Sequence, residues 1–215
     1  MRQTALEILR EHYTSAGPEL EFKNPFQLLV AVVLSAQSTD RQVNTVTAKL
    51  FETIRGPSDL YTIPLEQLEE LVRGVGLYRS KAKNLRELGR LLVSRHQGEV
   101  PGSFEELEAL PGVGHKTASV VLAIAFGIPA LAVDTHVFRV AKRLGLADGN
   151  TVLKVEEELK ALIAQQDWAA AHHWLIHHGR YCCKAQKPLC AQCVVTGYCR
   201  SNNDQGPLIA KDGVR

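Results

Sequence analysis

A chain of 215 residues, 45% of them hydrophobic, is long enough to bury a sizeable core as one large domain or two small ones. Its formal net charge of +2 permits a nucleic-acid partner without demanding one, because the distribution of charge decides. The longest apolar run, Ala118 to Val133, is interrupted by Gly127 and Pro129 and is shorter than the ~20 residues of a membrane span. The charged, amphipathic start MRQTALEILREHY is unlike a secretory signal, so the expectation is a soluble intracellular protein with no membrane partner.

Taken in order, the elements are helical nearly throughout. No stretch sustains two-residue alternation, which predicts an all-α fold. Asn24-Pro25 is a cap followed by proline at the first helical position and opens an apolar helix from Phe26 to Ala36. A second helix starts at Asp40 with Val43, Val46 and Leu50 inward, and a third at Pro64 with Leu65, Leu68 and Leu71 inward. Gly74-Val75-Gly76 then separates LEELVR from a helix expected to begin near Arg79. On that helix Arg79, Lys83, Arg86 and Arg90 share one face, which is either a solvated stripe or a surface laid on a phosphate backbone.

The same glycine turn returns 38 residues later as Leu110-Pro111-Gly112-Val113-Gly114. GVG is a common tight connection between helices; two copies also suit two clamps on one extended ligand. Gly112 and Gly114 allow dihedrals closed to other residues and the close approach of a bulky partner, while the first amides of the next helix attract an anion. In that helix Ala118, Val121, Leu122, Ala125 and Phe126 form one face, and Val120 and Ile124 make the other side apolar, which predicts a buried helix. His115, Lys116, Thr117 and Ser119 crowd its first turn. Lys116 is thereby expected at the mouth of an apolar rod, where the helix dipole and desolvation both disfavour an ammonium and favour a nucleophilic amine. The plainer alternative is a solvated cation or a phosphate contact. Asp134 precedes a helix with Val137, Val140 and Leu144 inward, so it reads as an N-cap carboxylate, rigid enough to serve beside developing positive charge.

All five cysteines fall between positions 182 and 199, and four follow Cys183-x6-Cys190-x2-Cys193-x5-Cys199. This clustering favours a metal centre over disulfides. Zinc sites more often use two short pairs, and the spacing is not that of ferredoxins, so the metal stays open on spacing alone. Cys182 falls outside the pattern, as a spare thiol or a source of ambiguity in register. His172, His173, His177 and His178 contain no HExxH and read as packing and polar-surface residues. The segment after Cys199 reads as a loose tail.

LPGVGHKTA followed by VDTH, with LSAQSTD, GLYRSKA and the cysteine spacing, resembles the helix-hairpin-helix DNA glycosylase superfamily and most closely its endonuclease III branch. The resemblance implies two helical domains flanking a DNA-binding cleft. Residues 19–128 would form a six-helix barrel domain with the helix-hairpin-helix, and residues 1–18 with 129–215 a helical domain carrying the cluster loop. It further implies a [4Fe-4S] cluster on Cys183, Cys190, Cys193 and Cys199, with Lys184, Lys187 and Arg200 beside the loop turned toward DNA. Lys116 and Asp134 would be catalytic. Gln37 would fill the space left by an extruded base and Leu77 would wedge into the opposite strand, with Gly112, Val113, Gly114 and His136 also on DNA. The implied activity is that of a bifunctional DNA glycosylase and abasic-site lyase of base excision repair. It would act, as a monomer in the cytoplasm and at the nucleoid, on double-stranded DNA with an abasic site or an oxidised pyrimidine of the thymine glycol type. Adenine glycosylases of the same fold lack the lysine; a pyrimidine-dimer glycosylase would look almost the same. A noncatalytic DNA-binding module leaves Lys116 unexplained, and an iron-sulfur electron carrier leaves both glycine turns unexplained.

Overall fold

The computed structural model describes residues 1–203, and every regular element among them is helical. In order these are α1 (Arg2–His12), α2 (Pro25–Ser35), α3 (Asp40–Thr53), α4 (Pro57–Thr62), α5 (Leu65–Leu71), α6 (Tyr78–His96), α7 (Phe104–Glu108), α8 (His115–Ala125), α9 (Thr135–Leu144), α10 (Val152–Leu162), α11 (Trp168–His177) and α12 (Arg200–Asn203). The all-α expectation holds for this part of the chain. Most of the tail expected after Cys199 lies outside the described residues; its first residues form α12.

The chain divides into two compact units, one of Pro18–Ile128 and one of Met1–Gly17 with the chain from Pro129. In the first, α2 starts where the Asn24 side chain accepts from the Gln27 amide at 2.9 Å, with Pro25 needing no donor of its own. Phe26 and every residue from Leu28 to Leu34 are buried. A helix apolar on all sides belongs at the centre, and α3, α6 and α8 pack around it. Thr39 and Gln42 cap α3 reciprocally, and Val43, Val46 and Leu50 turn inward as expected. Helix α4 was not anticipated. Its start is made by Pro57 and by the Asp59 carboxylate, which accepts from the Arg55 and Gly56 amides at 2.7 and 3.2 Å. In α5 only Leu68 is buried, with Leu65 and Leu71 half-covered.

One expectation fails in α8. Its apolar residues surround the axis in sequence, yet only Ala118, Ser119, Val121 and Leu122 are buried, and Phe126 just after it is 37% exposed. The helix packs against α2 and α7, and Val120, Ala123, Ile124 and Ala125 are half-buried.

In the second unit α1, α9, α10 and α11 enclose Leu9, Leu131, Val133, Val137, Val140, Leu159 and Leu175. Helix α11 continues into a single π turn, His178–Cys182, and two 3₁₀ turns, Cys190–Gln192 and Thr196–Tyr198, carry the cysteine loop to α12.

Candidate functional site

The second glycine turn is closed beneath and open above. The Val113 amide donates to the Leu110 carbonyl at 3.1 Å and the Val113 side chain is buried. Gly112 has φ +78, and a Cβ there would lie 3.1 Å from Asn84 Nδ2 and 3.2 Å from Val33 Cγ1, so both the handedness and the space call for glycine. At Gly114, the residue before α8, a Cβ would meet nothing within 4 Å. The first turn of α8 therefore begins beside open space, as anion capture at a helix start requires. Lys116 stands in this first turn and is exposed, with His115 edge-on to Phe104 at a centroid distance of 4.8 Å. Among the described residues Lys116 is exposed rather than enclosed by the apolar helix as expected.

The first turn repeats the second only in part. Val75 is buried and its amide donates to the Val72 carbonyl at 3.2 Å, as in the second copy. The left-handed residue, however, is not a glycine. It is Leu77, with φ 56, whose side chain is 62% exposed. Gln37 on the neighbouring loop has the same φ of 56 and is also exposed. The two loops are joined by Lys81, which the sequence did not single out. Its Nζ donates to the Leu34 and Ala36 carbonyls at 2.8 and 2.5 Å and to Ser38 Oγ at 3.2 Å. Ser38 Oγ also accepts from the Gly76 amide at 3.1 Å. Burial pushes the Lys81 pKa below its ordinary value. One signal was available: Lys81 falls on the face of Leu85, Leu88 and Leu92, away from Arg79, Lys83, Arg86 and Arg90. Those four are exposed, with Arg90 held at 2.8 and 2.5 Å by Glu87.

Asp134 caps α9 as expected. Its Oδ1 accepts from the His136 and Val137 amides at 2.8 Å each, which fixes the carboxylate on a rigid helix end. His136, half-buried, lies 3.2 Å from Arg139 Nη2 through its Nδ1. Arg139 in turn donates to the Gly179 and Cys183 carbonyls at 2.8 and 3.0 Å. One turn on, Arg143 donates to the Lys184 and Ala185 carbonyls at 2.7 and 3.1 Å. Two arginines of α9 thus hold the start of the cysteine loop to the helix that Asp134 begins.

All five cysteines line one cavity of about 170 Å³, together with His178 and Arg143, and none is in a disulfide among the described residues. The donor set suits an iron-sulfur group: cysteine sulfurs surround one space, no carboxylate lines it among the described residues, and the Arg143 guanidinium offsets negative charge. Burial pushes the Cys193 thiol up to about 12 and raises Cys199 as well, and a bound metal would favour their thiolate forms. His178 departs from the packing role read for the histidines. It is buried, with Nδ1 3.2 Å from the Tyr13 hydroxyl and Nε2 3.6 Å from Cys193 Sγ. The ligand atoms of His178, Cys182 and Cys193 lie within 4.8 Å of one another, so Cys182 is inside the cavity although outside the spacing pattern. Among the described residues no helix is long and apolar enough to cross a membrane.

Residues 30–165 match the family described as HhH-GPD superfamily base excision DNA repair protein, and residues 183–199 match the iron-sulfur binding domain of endonuclease III. Endonuclease III of Bacillus subtilis (strain 168) is 48% identical over 91% of this chain and 90% of its own length. That of Escherichia coli (strain K12) is 46% identical over 92% of this chain and 94% of its own. Among solved structures, a trapped endonuclease III–DNA covalent intermediate superposes with a TM-score of 0.91 at 47% identity, covering 95% of this chain and 98% of the other. A thermostable thymine-DNA glycosylase, 22% identical with a TM-score of 0.84 over 94% of this chain and 97% of its own, shares the fold.

Proposed function

The chain belongs to the endonuclease III family of HhH-GPD base excision DNA repair proteins, and on that footing we propose that it is a bifunctional DNA glycosylase and abasic-site lyase. The observation that carries this reading is the open turn Gly112–Gly114 with Lys116 exposed in the first turn of the helix behind it. A phosphate bound at those amides brings a deoxyribose within reach of the amine. A related protein, 47% identical, has been trapped as a covalent intermediate with DNA.

The neutral Lys116 amine attacks the sugar C1′ of an extruded nucleotide, and the glycosidic bond breaks with its electron pair leaving on the base, which is protonated. Loss of the amine proton and opening of the ring give a Schiff base. Removal of a C2′ proton then expels the 3′ phosphate by β-elimination, and water returns the free amine. Asp134, held by two amides, stabilises the cationic sugar and assists the proton transfers. Lys116 is exposed in the chain alone, and the bound duplex excludes water from around it.

Unstacking a base costs a few kcal/mol, which Gln37 offsets by filling the vacated space and Leu77 by wedging into the other strand. Gly112, Val113, Gly114 and His136 contact the DNA beside them. In this assignment the barrel domain of residues 19–128 carries Lys116, Gln37 and Leu77, and residues 1–18 with 129–215 carry Asp134 and the cluster. Cys183, Cys190, Cys193 and Cys199 would hold the [4Fe-4S] cluster, leaving Cys182 out. When bound it supplies cross-links that order the loop bearing Lys184 and Lys187 toward DNA. The reading extends to a monomer acting in the cytoplasm on double-stranded DNA with oxidised pyrimidines or abasic sites.

A panel of duplexes carrying thymine glycol, other damaged bases, a pyrimidine dimer or an abasic site, each scored for strand cleavage, tests this. Cleavage at thymine glycol and at the abasic site is expected from the wild type. A wild type that cleaves only the dimer, or nothing, overturns it.

A further inference from the structure

We propose that Lys81 is a positioning residue for base extrusion, its buried ammonium locking the Gln37 loop and the Leu77 loop into one rigid unit that enters the duplex together. The proposal rests on the reading above that Gln37 and Leu77 contact DNA. An ammonium has three N–H donors in a compact head, and here three acceptors surround it: the Leu34 carbonyl near the end of α2, the Ala36 carbonyl just past that end, and Ser38 Oγ. The last carbonyls of a helix lack partners within it and lie at the negative end of its dipole, so a cation is the fitting cap.

The linkage runs further on both sides. Ala36 precedes Gln37 directly, so its carbonyl belongs to the peptide that sets the Gln37 backbone. Ser38 follows Gln37, and its hydroxyl accepts from the Gly76 amide, one residue before Leu77. The Lys81 amide donates to the Leu77 carbonyl at 3.0 Å. A Cβ on Gly76 would stand 3.0 Å from the Gln37 carbonyl, so the loops lie back to back. Lys81 therefore grips both flanks of Gln37 through its head group and reaches Leu77 through its own backbone and through Ser38.

Two features say that the contact aligns rather than merely packs. Gln37 and Leu77 are both non-glycine residues in the left-handed region, a strained conformation that persists only where the surroundings impose it. Lys81 itself lies on a face otherwise made of Ala82, Leu85, Leu88 and Leu92, where a leucine would bury without the desolvation an ammonium incurs. The arrangement gives up packing energy to fix two exposed side chains relative to each other.

The test is single-turnover release of thymine glycol from a duplex, with 2-aminopurine beside the lesion to report unstacking, for Lys81→Met in the wild-type and in a Gln37→Ala/Leu77→Ala background. If Lys81 acts through the two loops, the substitution slows unstacking and base release by about tenfold in the wild-type background and by less than about twofold when both side chains are already gone. Binding to undamaged duplex and the cooperativity of thermal unfolding stay unchanged. Ser38→Ala, which removes one link at the surface and leaves the buried amine, gives a smaller loss in the same direction. An equal loss in both backgrounds, or no loss in the wild type, overturns the proposal while leaving the contact reading intact. A Gln37→Ala/Leu77→Ala protein with undiminished excision overturns both.

Discussion

Leu77 is held in a conformation that suits glycine and presents 62% of its surface to solvent, so the folded protein gains little from it in either backbone or side chain. Such an expense is expected of a residue whose partner arrives with the ligand. Leu77→Gly separates the two terms. Glycine takes φ 56 without strain but widens the unfolded ensemble, so stability in a urea titration should hold or rise by up to about 1 kcal/mol. Single-turnover excision from a paired duplex should fall. A loss of stability with unchanged excision would show Leu77 to be an ordinary packing residue. The contacts of Lys81 and His178 were hidden in the sequence for one shared reason. Their partners are far away in the chain, 47 residues from Lys81 to Leu34 and 15 from His178 to Cys193, and the two carbonyls that Lys81 grips are backbone atoms that any sequence provides.

Helices α4 and α6 meet at Gly89, where an added Cβ would lie 2.6 Å from the Pro57 carbonyl, 2.8 Å from Leu60 Cβ and 3.1 Å from the Tyr61 amide nitrogen. Alanine in a helix interior is ordinarily favoured over glycine by roughly 1 kcal/mol. Here the obstacles are mostly backbone, which cannot swing aside, and forced overpacking costs typically ~1–3 kcal/mol. Gly89→Ala should therefore lower the urea midpoint, and a higher midpoint would mean that α4 yields easily. The legibility of the elements follows the same logic of local against distant causes. Helices α2 and α9 were readable because a cap residue and apolar positions coincide at Asn24 and Asp134, and α3 because its apolar period runs on from Asp40. Helix α4 has six residues, too few for a period to show, and only Pro57 and Asp59 mark it. For α8 the period was read correctly and the burial was not, since a pattern of apolar residues does not say how many neighbours will cover it.

At the scale of the molecule, the unit that joins Met1–Gly17 to the chain from Pro129 brings distant segments together at Asp148, whose carboxylate accepts from Arg200 at 2.6 Å and Arg2 at 3.0 Å. Those hydrogen bonds, Arg200 first, hold its pKa below the ordinary carboxylate value. A folded pKa below the unfolded one contributes stability above the unfolded value that is lost as pH falls through the folded one. Asp148→Asn should thus melt slightly below the wild type near pH ~7 and equal it near pH ~2.5; a gap that persists in acid would assign it to lost packing. The candidate site was legible as a set of residues, because glycine turns and cysteine spacing are local signals. The hold of Arg139 and Arg143 on the cysteine loop was not, because each grips main-chain carbonyls. The central claim concerns the amine of Lys116, and borohydride added during reaction with an abasic duplex tests it most directly. Reduction of the Schiff base should leave a stable protein–DNA adduct on a denaturing gel for the wild type and none for Lys116→Gln, which still binds the duplex. An adduct of equal yield from the variant, or none from the wild type, would contradict it.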